Sequence, residues 1–203
     1  LADTSLDIAD AVNYAIEQII NLDFFPAQHG TQKKDKPAKL EKNGLGEGLV
    51  LLENSHVLIA KERKKAALIE FGPADDKAHG LFPKKDMLPF IAPPGKAYIP
   101  LHTWEIPKTE KHCDISEITI DEIGQLYVLS QQCGFIGKVA DLSPNTKHFV
   151  LTKKWGLPKD IRFAEAFLVL KPDQLFLVAE DLESEKTDNI TILHSQNFLL
   201  SKK

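Results

Sequence analysis

Between residues 47 and 193 the apolar positions come in short runs rich in Val, Ile, Leu and Phe, each closed by a turn signal. The runs cover 47–53, 56–61 and 66–71, then 117–121, 126–130 and 135–142, then 165–170, 175–179 and 189–193. Asn54-Ser55, Ile123-Gly124 and Pro172-Asp173 separate the first two runs of each group, so the pattern predicts three antiparallel meanders. Glu47 and Glu62 stand fifteen residues apart, as do Glu165 and Glu180; in the middle group Glu117 and Gln131 are one residue closer. The 48 residues from Glu117 to Glu165 are the length of one four-stranded propeller blade. The 70 residues from Glu47 to Glu117 predict a blade plus an insertion, the Pro-rich stretch 73–94, and a further strand over 98–106. The expected fold is therefore all-β, a β-propeller-like array of antiparallel blades. An open sheet or sandwich of hairpins is the alternative.

Residues 1–46 follow a different rule. Thr4 and Asp7 make a capping pattern, and Ile8, Val12, Ala15, Ile16, Ile19 and Ile20 recur at helical spacing, which predicts an N-terminal helix. A polar stretch with Lys33, Lys34, Lys36, Lys39 and Lys42 follows, read as a solvated loop or as a basic site for an anionic partner. The chain thus divides into 1–46, helix and basic loop, and 47–203, a propeller-like domain of three clear repeats and up to four blades. A closed propeller needs roughly four to eight blades, so the array is expected not to close alone. Absent blades or another chain would complete it, and a first residue of Leu rather than Met reads as a processed product or part of a longer protein.

Composition narrows the function classes. Of 203 residues 43% are hydrophobic and 27% charged, an ordinary globular balance, and no apolar run is long enough for a membrane span. Twenty-five basic against 29 acidic side chains give a net charge of -4, which offers nothing to nucleic acid.

Three segments carry a family resemblance. EGLVLLENSHVLIAKERKKAALIEFG has Glu47, Gly48, Lys61, Glu62 and Arg63 at an E-G-[LI] strand start and a K-E strand end. DISEITIDEIGQLYVLS supplies Asp114, Ser116, Leu129 and Ser130, and LPKDIRFAEAFLVLKPDQLFLVAED supplies Pro158, Glu165 and Glu180. In this order they resemble the C-terminal part of the SdiA-regulated family, and more distantly the esterase-like phytase propellers. The resemblance implies a propeller. It departs at Gln131, Gln132 and Cys133, where the family has acidic residues, and at Ala166, where it has Gly.

In a propeller, equivalent strand starts converge on one mouth of the central channel. Glu47, Glu117 and Glu165 are then candidate ligands for calcium or another divalent cation, with Glu62 and Glu180 as secondary candidates. The same carboxylates could instead divide into acid and base, or accept backbone hydrogen bonds that join blades. None of His29, His56, His79, His102, His112, His148 and His194 forms a zinc-protease motif, and Ser130 is a nucleophile candidate without a nameable base. If Glu122-Ile123-Gly124 is a three-residue hairpin loop, Ile120 pairs with Leu126, Ile118 with Val128, and the register sets Cys113 opposite Cys133. That allows a disulfide, which suits a periplasmic or secreted protein; two reduced cytoplasmic thiols are the alternative. Trp104 and Trp155 read as core or inter-blade packing. These observations predict a ligand- or divalent-metal-binding scaffold. A metal-dependent hydrolase of phosphoester or lactone substrates and a protein-interaction module are the other two readings.

Overall fold

The computed structural model describes residues 46–52, 55–62, 65–84, 90, 98–181 and 189–197. The helix and basic loop expected before Gly46 lie outside the described residues, as does Arg63. Within them the protein is all-β, with three antiparallel sheets and no α-helix. The first sheet holds β1 (Gly48–Leu51), β2 (Val57–Lys61), β3 (Ala67–Pro73) and β4 (Tyr98–Glu105), in that order. The second holds β5 (Glu117–Ile120), β6 (Leu126–Ser130), β7 (Phe135–Val139) and β8 (Leu151–Gly156). The third holds β9 (Ala164–Lys171), β10 (Leu175–Glu180) and β11 (Ile190–His194). All three expected meanders form. The Pro-rich insertion falls between β3 and β4, inside the first sheet rather than between sheets.

Alternation along each strand gives every sheet two apolar faces, and the sheets stack in series through them. Val50, Leu58, Leu68 and Trp104 of the first sheet pack on Ile118, Leu126, Val128 and Phe135 of the second. The opposite face of the second, with Tyr127, Leu129, Ile136 and Trp155, packs on Phe167, Phe176, Val178 and Leu193 of the third. Burying such a side chain contributes roughly 1.5–3 kcal/mol, so these two seams hold most of the fold. The first strands of the sheets lie next to one another, β5 touching both β1 and β9.

Polar links reinforce both seams. Leu81, in the stretch after β3, pairs as an isolated antiparallel bridge with Leu142 of the second sheet. At the other seam Tyr127 donates its buried hydroxyl to Asp121 and Asp173, while the Lys138 ammonium donates to both oxygens of Asp173. Asp173 sits at φ 58° in the turn between β9 and β10, so this clamp ties that turn to the second sheet.

The stacking corrects the alignment of the repeats. The Glu47 N–H donates to the Ala60 carbonyl, and the same bond in the second sheet is made by Ser116 to Leu129, not by Glu117. Trp104 opposite Leu68 and Trp155 opposite Ile136 occupy matching places under the same alignment. Ser116 is therefore the counterpart of Glu47 and Glu165, and Glu117 that of Gly48 and Ala166. Counted from Ser116, the middle repeat also reaches Gln131 after fifteen residues, and its apparent one-residue deficit disappears.

The hairpin register around Gly124 is as the loop length predicts, with Ile120 opposite Leu126 and Ile118 opposite Val128. It brings Cys113 and Cys133 into a disulfide with Cα atoms 5.4 Å apart. Gly124 itself has φ 75°, the left-handed conformation that such a loop requires. Gly48 serves a different purpose: a Cβ there would collide with the Glu117 carboxylate and the Ile118 amide of the neighbouring sheet.

Two outcomes follow. Gly48→Ala should push β1 away from β5 and destabilise the protein by about 1–3 kcal/mol in denaturant titration; an unchanged midpoint would mean that the first seam tolerates the shift. Reduction, or the Cys113→Ser/Cys133→Ser pair, should cost about 3 kcal/mol for a bridge closing roughly 20 residues, read as a lower unfolding midpoint with reductant than without.

Candidate functional site

The second strand of the first sheet carries a chemically distinct cluster at each end. At its C-terminal end lie the carboxylates singled out from sequence. Glu117 lies over Gly48 and takes the Ile118 N–H at 2.8 Å. Burial raises its carboxyl above the ordinary range, and the charge of Glu47 adds to this, against that hydrogen bond. Glu165 is also raised, first by burial and then by Glu47, Asp181, Glu62 and Asp114. The charge of Glu47 thus acts on both Glu117 and Glu165, but among the described residues the three carboxylates do not gather as one set of metal ligands. Gln131 donates to Glu165 at 3.0 Å. Glu180 is used differently: it accepts the backbone N–H groups of Arg162 and Phe163 at 2.7 and 3.2 Å and so shapes the turn before β9. The Ser130 hydroxyl donates to Asp114 at 2.6 Å and accepts the Cys133 N–H, which commits it to the turn that carries the disulfide.

The other end of β2 begins at His56, whose carbonyl accepts the Leu52 N–H across the β1–β2 hairpin. The imidazole is completely buried. It lies against Gly72 of β3, where an added Cβ would stand 2.7 Å from its Cδ2 and Nε2 atoms. Its Nδ1 faces Glu70 of β3 at 2.6 Å, and Glu70 is equally buried. Glu70 accepts two further bonds, from the N–H of His79 at 2.9 Å and of Gly80 at 3.0 Å, so its charge is satisfied without water. Gly80 has φ 75°, and a Cβ there would run into the Leu142 carbonyl, so only glycine lets the chain turn at this point and bridge to the second sheet.

The turn after β3 brings Asp76 and His79 over the other ring nitrogen. His56 Nε2 lies 3.1 Å from one Asp76 oxygen, and His79 Nε2 lies 3.4 Å from the other. The two imidazoles meet edge to face, centroids 5.0 Å apart. Donor atoms of His56, Asp76 and His79 all lie within 4.8 Å of one another. Glu70 and His56 form a closed floor, while Asp76 at 41% and His79 at 54% side-chain exposure open the cluster to solvent.

Electrostatics agrees with this layout. Burial opposes the charge on His56, but the hydrogen bonds and charges of Glu70 and Asp76 outweigh it and raise its pKa above 6.5. Burial likewise opposes the Glu70 charge, yet its bonds to His56, His79 and Gly80 hold its pKa below 4.5. The Lys77 N–H, followed by His56, lowers Asp76 to about 2.

Reading the sequence alone missed this cluster. His56 and His79 are 23 residues apart and form no metal motif. The one local signal is Asp76-x-x-His79 just beyond a strand, and the strand pairing that adds His56 and Glu70 is not visible in spacing. No family model matches this chain, and neither a curated protein nor a solved structure matches it.

The cluster makes stability depend on pH in a defined window. A raised His56 contributes fully below 6.5 and loses its contribution as pH rises through its folded value; lowered Glu70 and Asp76 contribute above 4.5 and 3.8 and lose it as pH falls, Asp76 near 2. In metal-free protein the site should therefore stabilise most between these limits. Glu70→Ala leaves a buried imidazolium without its Nδ1 partner, Asp76 remaining at Nε2, and should cost about 3 kcal/mol there. That cost should shrink as pH rises through the raised pKa of His56 and the imidazolium deprotonates. A pH-independent difference in denaturant titrations would show that Glu70 acts through packing alone.

Proposed function

We propose that this protein is a propeller-type β scaffold that binds a divalent transition-metal ion through His56 Nε2, Asp76 and His79. The single observation that carries this reading is the donor set with its spacing. Two imidazole nitrogens and a carboxylate suit zinc or a neighbouring d-block ion. Bonds of about 2.0 Å in a tetrahedron place ligand atoms about 3.3 Å apart. The His56–Asp76 and Asp76–His79 separations of 3.1 and 3.4 Å, made to the two oxygens of one carboxylate, are close to that edge, and a donor atom from each of the three residues lies within 4.8 Å of the others. Glu70 completes the arrangement as the carboxylate that orients His56 through Nδ1, the usual partner of a metal-bound histidine. Three protein ligands, buried His56 below and exposed Asp76 and His79 at the rim, leave one coordination position for water or a small ligand, so hydrolysis of phosphoesters or lactones is the activity to assay on loaded protein. The serial stacking of meanders and the motifs resembling the SdiA-regulated family support the propeller assignment. The Cys113–Cys133 bridge supports a periplasmic or secreted setting.

A second, harder cation site is favoured by one observation at the far end of β2. After burial, the charge of Glu47 helps to hold both Glu117 and Glu165 above their ordinary range, a repulsion that calcium would relieve by drawing Glu47, Glu117 and Glu165 together from positions that do not group as ligands in the metal-free protein.

Tag-free protein titrated calorimetrically with zinc should bind one ion per chain and release a proton, since metal replaces hydrogen at His56 Nε2. Asp76→Ala and His79→Ala should each weaken binding at least about tenfold, and a hundredfold excess of zinc over Kd should add about 2.7 kcal/mol of stability. Zinc binding unaffected by both variants would refute this assignment. Calcium binding lost in Glu165→Gln but kept in His79→Ala would place the second ion at the first strands of the sheets.

A further inference from the structure

The two outer sheets each present an apolar surface whose counterparts inside the molecule are buried. Leu49 and Leu51 on β1 stand where Ile118 and Ile120 of the second sheet and Phe167 and Val169 of the third stand. Ile118 and Phe167 are 3% exposed because each packs on the preceding sheet, whereas Leu49 and Leu51 are 45% and 42% exposed. At the other end, Leu168 occupies the place of Val50. Val50 is 4% exposed beneath the second sheet, but Leu168 is 55% exposed. Leu168 continues across the third sheet through Leu177 to Ile192, itself 56% exposed, so the open face is contiguous. An uncovered apolar stripe across a whole sheet marks an interaction surface.

We propose that the occupant of this face is the β1 side of a second copy of the same chain, so that two copies pair head to tail about a two-fold axis. The argument is complementarity by repetition. Twice within the chain, a face of the Leu168 type mates with a face of the Leu49 type, and the described residues carry one open face of the first type and the open β1 edge of one face of the second. On the first sheet the opening is confined to β1, because Val57, Ile59 and Phe71 are buried in a cluster with Tyr98 and Phe90. β1 is also where neighbouring sheets come closest, β1 lying against β5 and β5 against β9 inside the chain. A heterologous contact of this sort closes only if its rotation does. Two chains of three sheets make six, inside the range of roughly four to eight blades over which propellers close. Closure rests on the propeller assignment above and is independent of the metal site.

Light scattering across a concentration series, with small-angle scattering on the same samples, tests this. The expected result is a limiting mass twice the 22.7 kDa of one chain and a compact, disc-like particle. Leu168→Glu and Ile192→Glu should each return the mass to that of one chain. Val150→Glu, an equally exposed apolar position outside either face, should leave the doubled mass unchanged. A monomer at every concentration would overturn the second-copy occupant and leave blades of a longer polypeptide as the cover, with zinc binding intact. Mass that grows without limit would overturn closure and the propeller curvature together. A doubled mass that survives both glutamate variants would place the contact elsewhere and refute the proposal.

Discussion

Everything in this fold depends on sheets that are apolar on both faces. A strand that alternates side chains between two surfaces is half-satisfied by one neighbour, so each sheet here needs a partner in front and another behind. Trp104 and Trp155 fill the two internal seams from equivalent places, and the loop from β3 and the Tyr127–Asp173–Lys138 clamp pin them from the side. The same rule explains why the ends of the series are chemically unlike its middle: residues that repeat as buried in one sheet repeat as exposed in another only where the series stops.

The seams also decide where chemistry can be placed. The starts of the first strands carry Glu117 and Glu165, whose carboxyls are raised by burial and then by the charge of Glu47. The opposite end of β2 solves a different problem, keeping an imidazole and a carboxylate in the dry edge of a sheet. Glu70 manages it by accepting three hydrogen bonds, and the turn that donates two of them also delivers Asp76 and His79. Gly72 and Gly80 make room for this arrangement, one under the ring and one at the bridge to the second sheet. Structural support and candidate metal ligation are thus supplied by the same connection after β3, the first through its backbone N–H groups and the second through its side chains.

The sequence by itself determined the strands, because period-two alternation between turn residues is a local property. It determined the hairpin register at Gly124, and with it the approach of Cys113 to Cys133, because loop length sets pairing. It placed Glu47 and Glu165 correctly but put Glu117 one residue out of step, since identity of residue type is a poorer guide to equivalence than the hydrogen bond from Ser116 to Leu129. Only the tertiary structure decided that the turn after β3 folds back over His56, that Glu70 meets His56 fourteen residues away, and that Asp76 caps the second ring nitrogen and in turn meets His79. The physical reason is that such contacts join different strands and a turn. Their geometry follows from how sheets pair and stack rather than from any spacing along the chain.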